Sequence, residues 1–163
     1  MSFQKPTLIS FARFRDGRGW FSQQWQESWK EKVGISDAMV QTNMGYSTKR
    51  NTIRGLHSQV GMAKLVTVVT GKIMDIVVDP NGKHYKFILS AEFPQSLYIP
   101  KGYCHGYRTL EDNTIMMYQQ DKLYNPKLEY GVRWDDPKLN IDWELDGDPH
   151  ISERDLNLPL WSK

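Results

Sequence analysis

Cysteine is nearly missing from this chain. Cys104 is the only one in 163 residues, which excludes an internal disulfide and fits a reducing compartment. An excess of one charge is missing too. Twenty-one Lys and Arg stand against nineteen Asp and Glu, a net +2, with no concentrated basic stripe to argue for nucleic acid. No apolar run approaches the eighteen or so residues of a membrane helix. MSFQKPTLISFARFRD, at the start, lacks the apolar centre of a signal peptide. The expectation is a soluble cytoplasmic protein with no membrane partner. Repeats and low-complexity segments are absent. Helical character is scarce: only QQWQESWKEKVG (23–34) combines helix formers with Trp25 and Trp29 four apart and Gly34 as a stop.

Strands and turns are what the chain has. Its length suits one domain over residues 1–163, with enough chain to bury a core. Residues 64–70 and 72–79, rich in valine and isoleucine, flank Gly71, and this predicts a tight hairpin. DPNGK (79–83) and PKG (100–102) read as turns, with YKFILSAE, SLYIP, CHGYRTL and TIMMYQQ as further strands. Alternation in TIMMYQQ puts Thr114, Met116 and Tyr118 on one face. From residue 125 onward, NP, DDP and DGDP predict short helical turns wrapping the body. The fold class this implies is all-β, a sandwich or barrel with few short helices. Its six tryptophans and eight tyrosines could fill the interior or line a cavity.

The chemistry begins at IRGLHSQ (53–59), where His57 and, seven residues on, Lys64 adjoin the most apolar stretch. A metal site, a base and a satisfied core histidine are all open readings. PKGYCHG (100–106) is similar to the second motif of the cupin barrels, whose histidine often binds metal. The first cupin motif supplies two histidines two apart and a carboxylate. Here Ser58 and Gln59 follow His57, and Lys64 stands downstream. A divalent ion needs three or four ligands and is repelled by an ammonium, and the other histidines, His84 and His150, lie in a turn and in the tail. The expected metal is none. Two histidines, an arginine and a lysine around one cavity suit an anionic ligand and proton transfer.

RGLH, KLV, GKIMD, IPKGYCHG, WDDPKLNIDW and ISERD occur in this order. With them the chain resembles the dTDP-4-dehydrorhamnose 3,5-epimerase family, from about Phe14 to Pro159. The resemblance implies a cupin jelly roll, no metal or other cofactor, and a homodimer. The implied substrate is a nucleotide-diphospho-4-keto-6-deoxy sugar, inverted at carbon 3, carbon 5 or both. The implied setting is cell-surface polysaccharide (lipopolysaccharide, for example) or glycosylated natural-product synthesis.

Such an inversion needs a base for the proton beside the ketone, a stabiliser for the enolate oxygen, and an acid on the opposite face. By the resemblance, His57 is the base, Asp155 its carboxylate partner, Tyr118 the acid and Lys64 the charge near the ketone. The nucleotide and sugar contacts fall on Arg18, Gln23, Gln41, Asn43, Arg54, His105, Tyr124, Glu129 and Arg154. Guanidinium groups suit phosphate oxygens, and Tyr124 matches the aromatic on which the base stacks. Taken singly these residues read differently: His57 and Tyr118 as core, Asp155 as the acidic member of a cap three residues after Ser152, the arginines as solvated charge. Their joint order reverses that.

The chain also departs from the family. Gln23 replaces a usual glutamate, Ala63 a glycine, Thr67 an arginine and Arg154 a lysine, and the loops after His57 and Asp79 are short. These changes border the substrate pocket, so GDP- and CDP-sugars, inversion at a single centre and 3,4-ketoisomerisation stay open, as does a non-catalytic nucleotide-sugar-binding cupin.

Overall fold

The structure is a computed structural model that describes residues 4–31, 34–35 and 38–162. Among these described residues twelve strands are formed: β1 Thr7–Ser10, β2 Phe14–Asp16, β3 Gly19–Phe21, β4 Gln41–Ser47, β5 Ile53–Gln59, β6 Lys64–Thr70, β7 Lys72–Val78, β8 His84–Ser90, β9 Gln95–Ile99, β10 Cys104–Thr109, β11 Thr114–Gln120 and β12 Glu129–Gly131. One short helix follows, α1 Glu153–Leu156. Two five-stranded antiparallel sheets, ordered β1-β9-β6-β11-β4 and β12-β5-β10-β7-β8, make the jelly roll, and β2 and β3 form a separate exposed hairpin around Gly17 and Arg18. The all-β cupin expectation holds.

Apolar side chains fill three layers. Val66, Val68, Ile73, Val77, Leu97, Ile99 and Met116 form one core. Leu56, Met74, Ile76, Val78, Leu139 and Trp143 form a second, beneath the C-terminal segment. Leu65 and Tyr98 meet Ile35, with Trp25 and Met39 beside them, in a third. Residues of β7 thus enter two layers from opposite faces, which is why KIMDIVV reads as nearly continuous apolar sequence rather than alternation.

Two expectations are corrected. The valine-rich strands around Gly71 are not a hairpin. β6 pairs with β9 and β11, whereas β7 pairs with β8 and β10, so the chain crosses from one sheet to the other at Gly71. The glycine is required there: its φ is +81°, and an added Cβ would stand 2.4 Å from Thr114 Oγ1. The helix over 23–34 shrinks to a 3-10 turn at Glu27–Trp29, with residues 32 and 33 outside the described set. Trp25 and Trp29 take separate partners instead of forming a helical stripe. Trp25 packs against the third layer, and Trp29 stacks on Phe11 with ring centroids 5.5 Å apart. Tertiary packing overrides weak helical propensity here.

Candidate active site

A cavity of about 530 Å³ opens beside β4, β5, β6, β10, β11 and the segment leading into α1. His57, Lys64, Tyr118, Asp155, Arg54, His105 and Arg154 all line it. A bulge in β5 makes this possible. Opposite β10, His57 pairs with His105 but Arg54 pairs with Tyr107, so three steps on β5 match two on β10. In a regular strand, residues three apart face opposite sides. The extra residue brings Arg54 and His57 to the same face, the re-aiming that bulges perform. Gly55 sits in this bulge at φ +114°, where a Cβ would lie 2.6 Å from Gly106 Cα. That explains the glycine in RGLH.

His57 Nε2 lies 2.8 Å from Asp155 Oδ1, and the Gly55 amide donates to Asp155 Oδ2 at 3.0 Å. The Asp155 N–H donates to Ser152 Oγ at 3.2 Å, so the cap reading and the partner reading of Asp155 hold together. Burial raises the cost of ionising Asp155. The hydrogen bonds from His57 and Gly55, with the charges of His57 and Arg154, outweigh that cost and hold the carboxyl below the usual carboxylate range.

Lys64 Nζ stands 5.6 Å from the centre of the Tyr118 ring. Burial pushes its ammonium below the usual lysine range, against the charges of Asp75, Cys104 and Glu129. Burial also lifts the Tyr118 phenol, helped by Glu129 and Tyr124 and opposed by Arg54, so it keeps its proton. His105 Nδ1 is 3.3 Å from both carboxylate oxygens of Asp75, which is 0% exposed. Burial and then Lys64 push His105 towards the neutral form, against Asp75. Among the described residues no three His, Cys, Asp or Glu side chains are grouped to hold a metal ion, and no helix is long and apolar enough to cross a membrane.

The remaining candidates divide. Tyr124 donates its hydroxyl to Glu129 at 2.8 Å, and Glu129 also accepts from Arg154 at the cavity wall. Gln41 bonds Asn43 at 2.9 Å and accepts the Tyr124 amide at 2.8 Å. None of Tyr124, Glu129, Gln41 and Asn43 is among the cavity's lining residues. Arg18 and Gln23 are not among the cavity's lining residues. Arg18 is 92% exposed on the β2–β3 hairpin and pairs with Asp16, while Gln23 donates to Gln26. Sequence reading missed Asp75 and Tyr107. Asp75 was visible as the charged residue in an apolar strand, in GKIMD. Tyr107 follows His105 by two, the same-face spacing of a strand, but nothing local distinguishes it from a core tyrosine.

Comparison with known proteins agrees with the fold. The family model described as dTDP-4-dehydrorhamnose 3,5-epimerase matches residues 1–163. The enzyme of that name from Methanothermobacter thermautotrophicus is 36% identical over 166 residues, covering 96% of this chain and 89% of its own. The crystal structure of the Bacillus anthracis enzyme, with TDP and PPi bound, superposes with a TM-score of 0.91 at 36% identity, covering 96% and 94% of the two chains. That of a dTDP-6-deoxy-D-glucose-3,5-epimerase from Legionella pneumophila, in complex with dTDP-4-keto-L-rhamnose, gives 0.87 at 32% identity, covering 97% and 94%. A jelly roll enclosing a histidine–aspartate pair, a lysine and a phenol, with a match along its whole length, makes this chain a member of the dTDP-4-dehydrorhamnose 3,5-epimerase family and an isomerase-class enzyme.

Proposed function

We propose that residues 1–163 form one epimerase domain acting on a dTDP-4-keto-6-deoxy sugar at carbon 3, carbon 5 or both, with His57 as base and Tyr118 as acid. The observation that carries the reading is the 2.8 Å His57–Asp155 pair in a cavity that Lys64 and Tyr118 also line. With one ring nitrogen committed to Asp155, the other is left to take the proton beside the ketone. Asp155, ionised and buried, favours the imidazolium that results. The electron pair released from the C–H bond moves onto the carbonyl oxygen, where the Lys64 ammonium stabilises the enolate. The Tyr118 phenol then donates its proton to the carbon from the other face, and solvent restores both groups. Arg54 and Arg154 suit the diphosphate, and Tyr124 the nucleotide base.

The test is incubation in D₂O with dTDP-, GDP- and CDP-4-keto-6-deoxy sugars, read by NMR for the positions labelled and inverted. The wild-type chain should label and invert the dTDP sugar. His57→Ala should abolish labelling while binding persists, and Tyr118→Phe should keep labelling but lose inversion. Undiminished labelling in His57→Ala would overturn the base assignment. Labelling of only a GDP or CDP sugar would overturn the nucleotide, and a moved carbonyl would make the chain a ketoisomerase.

A cytoplasmic homodimer completes the reading. Its support is the apolar outer surface of the first sheet, where Met44, Tyr46 and Val69 are exposed, and the lone buried thiol. Light scattering that returned a stable monomer would count against the dimer.

A further inference from the structure

We propose that Gln59 is a positioning residue for nucleotide recognition: it clamps the backbone on both sides of Tyr124 and so sets that ring as a rigid platform for the base. The inference deepens the nucleotide-sugar reading above and rests on it, in particular on Tyr124 as the residue that meets the base.

Gln59 ends β5 and is 3% exposed. Its Nε2 donates to the Leu123 carbonyl at 3.1 Å, and its Oε1 accepts the Asn125 amide at 2.8 Å. These partners fix the orientation of the side-chain amide, because a backbone N–H only donates and a carbonyl only accepts. A buried amide is costly unless both ends are bonded. Here both ends are spent on the two neighbours of Tyr124. Gln41, on β4, completes the grip: its Oε1 accepts the Tyr124 amide at 2.8 Å. Three consecutive residues of the loop between β11 and β12 are thus held by two glutamines from different sheets.

The far end of the side chain is held as well. The Tyr124 hydroxyl donates to Glu129 Oε2 at 2.8 Å, and Glu129 is the register partner of Gln59 across β12 and β5. Yet Tyr124 is 48% exposed. An exposed aromatic immobilised beforehand loses little freedom on binding, and its flat face is what a base stacks on. The placement fits the ligand. Glu129 also accepts from Arg154, which lines the cavity, so the order cavity, Arg154, Tyr124 follows the order sugar, diphosphate, base. The regular β5–β12 register also puts Gln59 on the same face as His57. One strand carries both the proton acceptor for the sugar and the clamp for the nucleotide.

Calorimetric titration of the purified full chain tests this, with dTDP and the base-free 2-deoxyribose 5-diphosphate as probes. Gln59→Met, which keeps the length and removes both bonds, should weaken dTDP roughly tenfold and leave the base-free probe unchanged. Tyr124→Ala should show the same split, and the double variant should bind dTDP no worse than Tyr124→Ala alone. Should Gln59→Met fail to fold, Gln59→Glu carries the same test: it keeps the acceptor for Asn125, loses the donor to Leu123, and should give a smaller loss confined to dTDP. Equal losses for both probes would assign Gln59 to general packing and overturn the inference. Losses that add in the double variant, or no loss at all, would overturn it too. A wild-type chain that did not bind dTDP would overturn this inference together with the nucleotide-sugar reading. Wild-type binding that Tyr124→Ala left untouched would overturn this inference alone.

Discussion

At the scale of single residues, Asp155 carries the most consequence. Its carboxylate is engaged by His57 and the Gly55 amide, and its own amide caps the helix through Ser152. A carboxyl held below 3.8 stabilises the native state wherever it is ionised in both folded and unfolded chains. That contribution is fully present above 3.8 and is lost as pH falls through the depressed folded value. Asp155→Asn should therefore cost about 1.5–3 kcal/mol near neutrality, with the gap to wild type closing at acid pH in urea unfolding repeated across pH. The rate of proton exchange should fall about 10²–10⁴-fold in the same variant, since an amide cannot favour the imidazolium. Lys64, which lines the same cavity, was legible as an oddity, an ammonium opening the run KLVTVV. Its pairing with the Tyr118 ring was not, because the two lie on neighbouring strands joined only by β-sheet register.

At the scale of elements, the bulge in β5 governs which side chains meet. Without it, Arg54 and His57 would project from opposite faces. Gly55→Ala forces a Cβ against the Gly106 backbone at a φ that L-residues avoid, and there is no flexible side chain to give way. The expected loss is about 2–4 kcal/mol by urea unfolding, together with loss of proton exchange under conditions where the variant remains folded. A one-residue irregularity leaves no signature in composition. RGLH looks the same whether its strand is regular or bulged, and the choice is made by the close approach of β10. The crossing at Gly71 teaches the same lesson. A glycine between two apolar strands suits a hairpin and a corner equally, and only the buried second face of β7 separates them. The strands themselves were well marked, because valine- and isoleucine-rich runs ending in DPNG or PKG leave little else to form.

For the whole molecule, the problem is to bring residue 155 to residue 57. Arg108, 2% exposed, holds the C-terminal segment in place. It donates to Asn51 Oδ1 at 2.8 Å, to the carbonyls of Trp143 and Glu144, and to Asp146 Oδ1 at 3.0 Å. A few residues on, His150 is laced to the start of β5 by its N–H to Asn51 and by its carbonyl from the Ile53 amide, both at 2.9 Å. Asp155 follows five residues later. Arg108→Met keeps the apolar stem but orphans those acceptors, and about 2–4 kcal/mol should be lost in urea unfolding. A variant that unfolded at the wild-type midpoint would show that Trp143, buried in the layer beneath this segment, anchors it unaided.

The sequence alone determined the all-β class, most strand positions and, through motifs in a fixed order, four residues that the structure gathers at one cavity, His57, Lys64, Tyr118 and Asp155. These follow from local alternation, turn chemistry and residue identity, all of which are written along the chain. Only the tertiary structure decided that Gly71 crosses between sheets, that β5 bulges, that Tyr107 lines the same cavity as His57, and that Arg18 stands on an exposed hairpin outside the cavity of its own chain. Each of these depends on which surfaces meet across the sandwich, and contacts between residues tens of positions apart leave no local pattern to read.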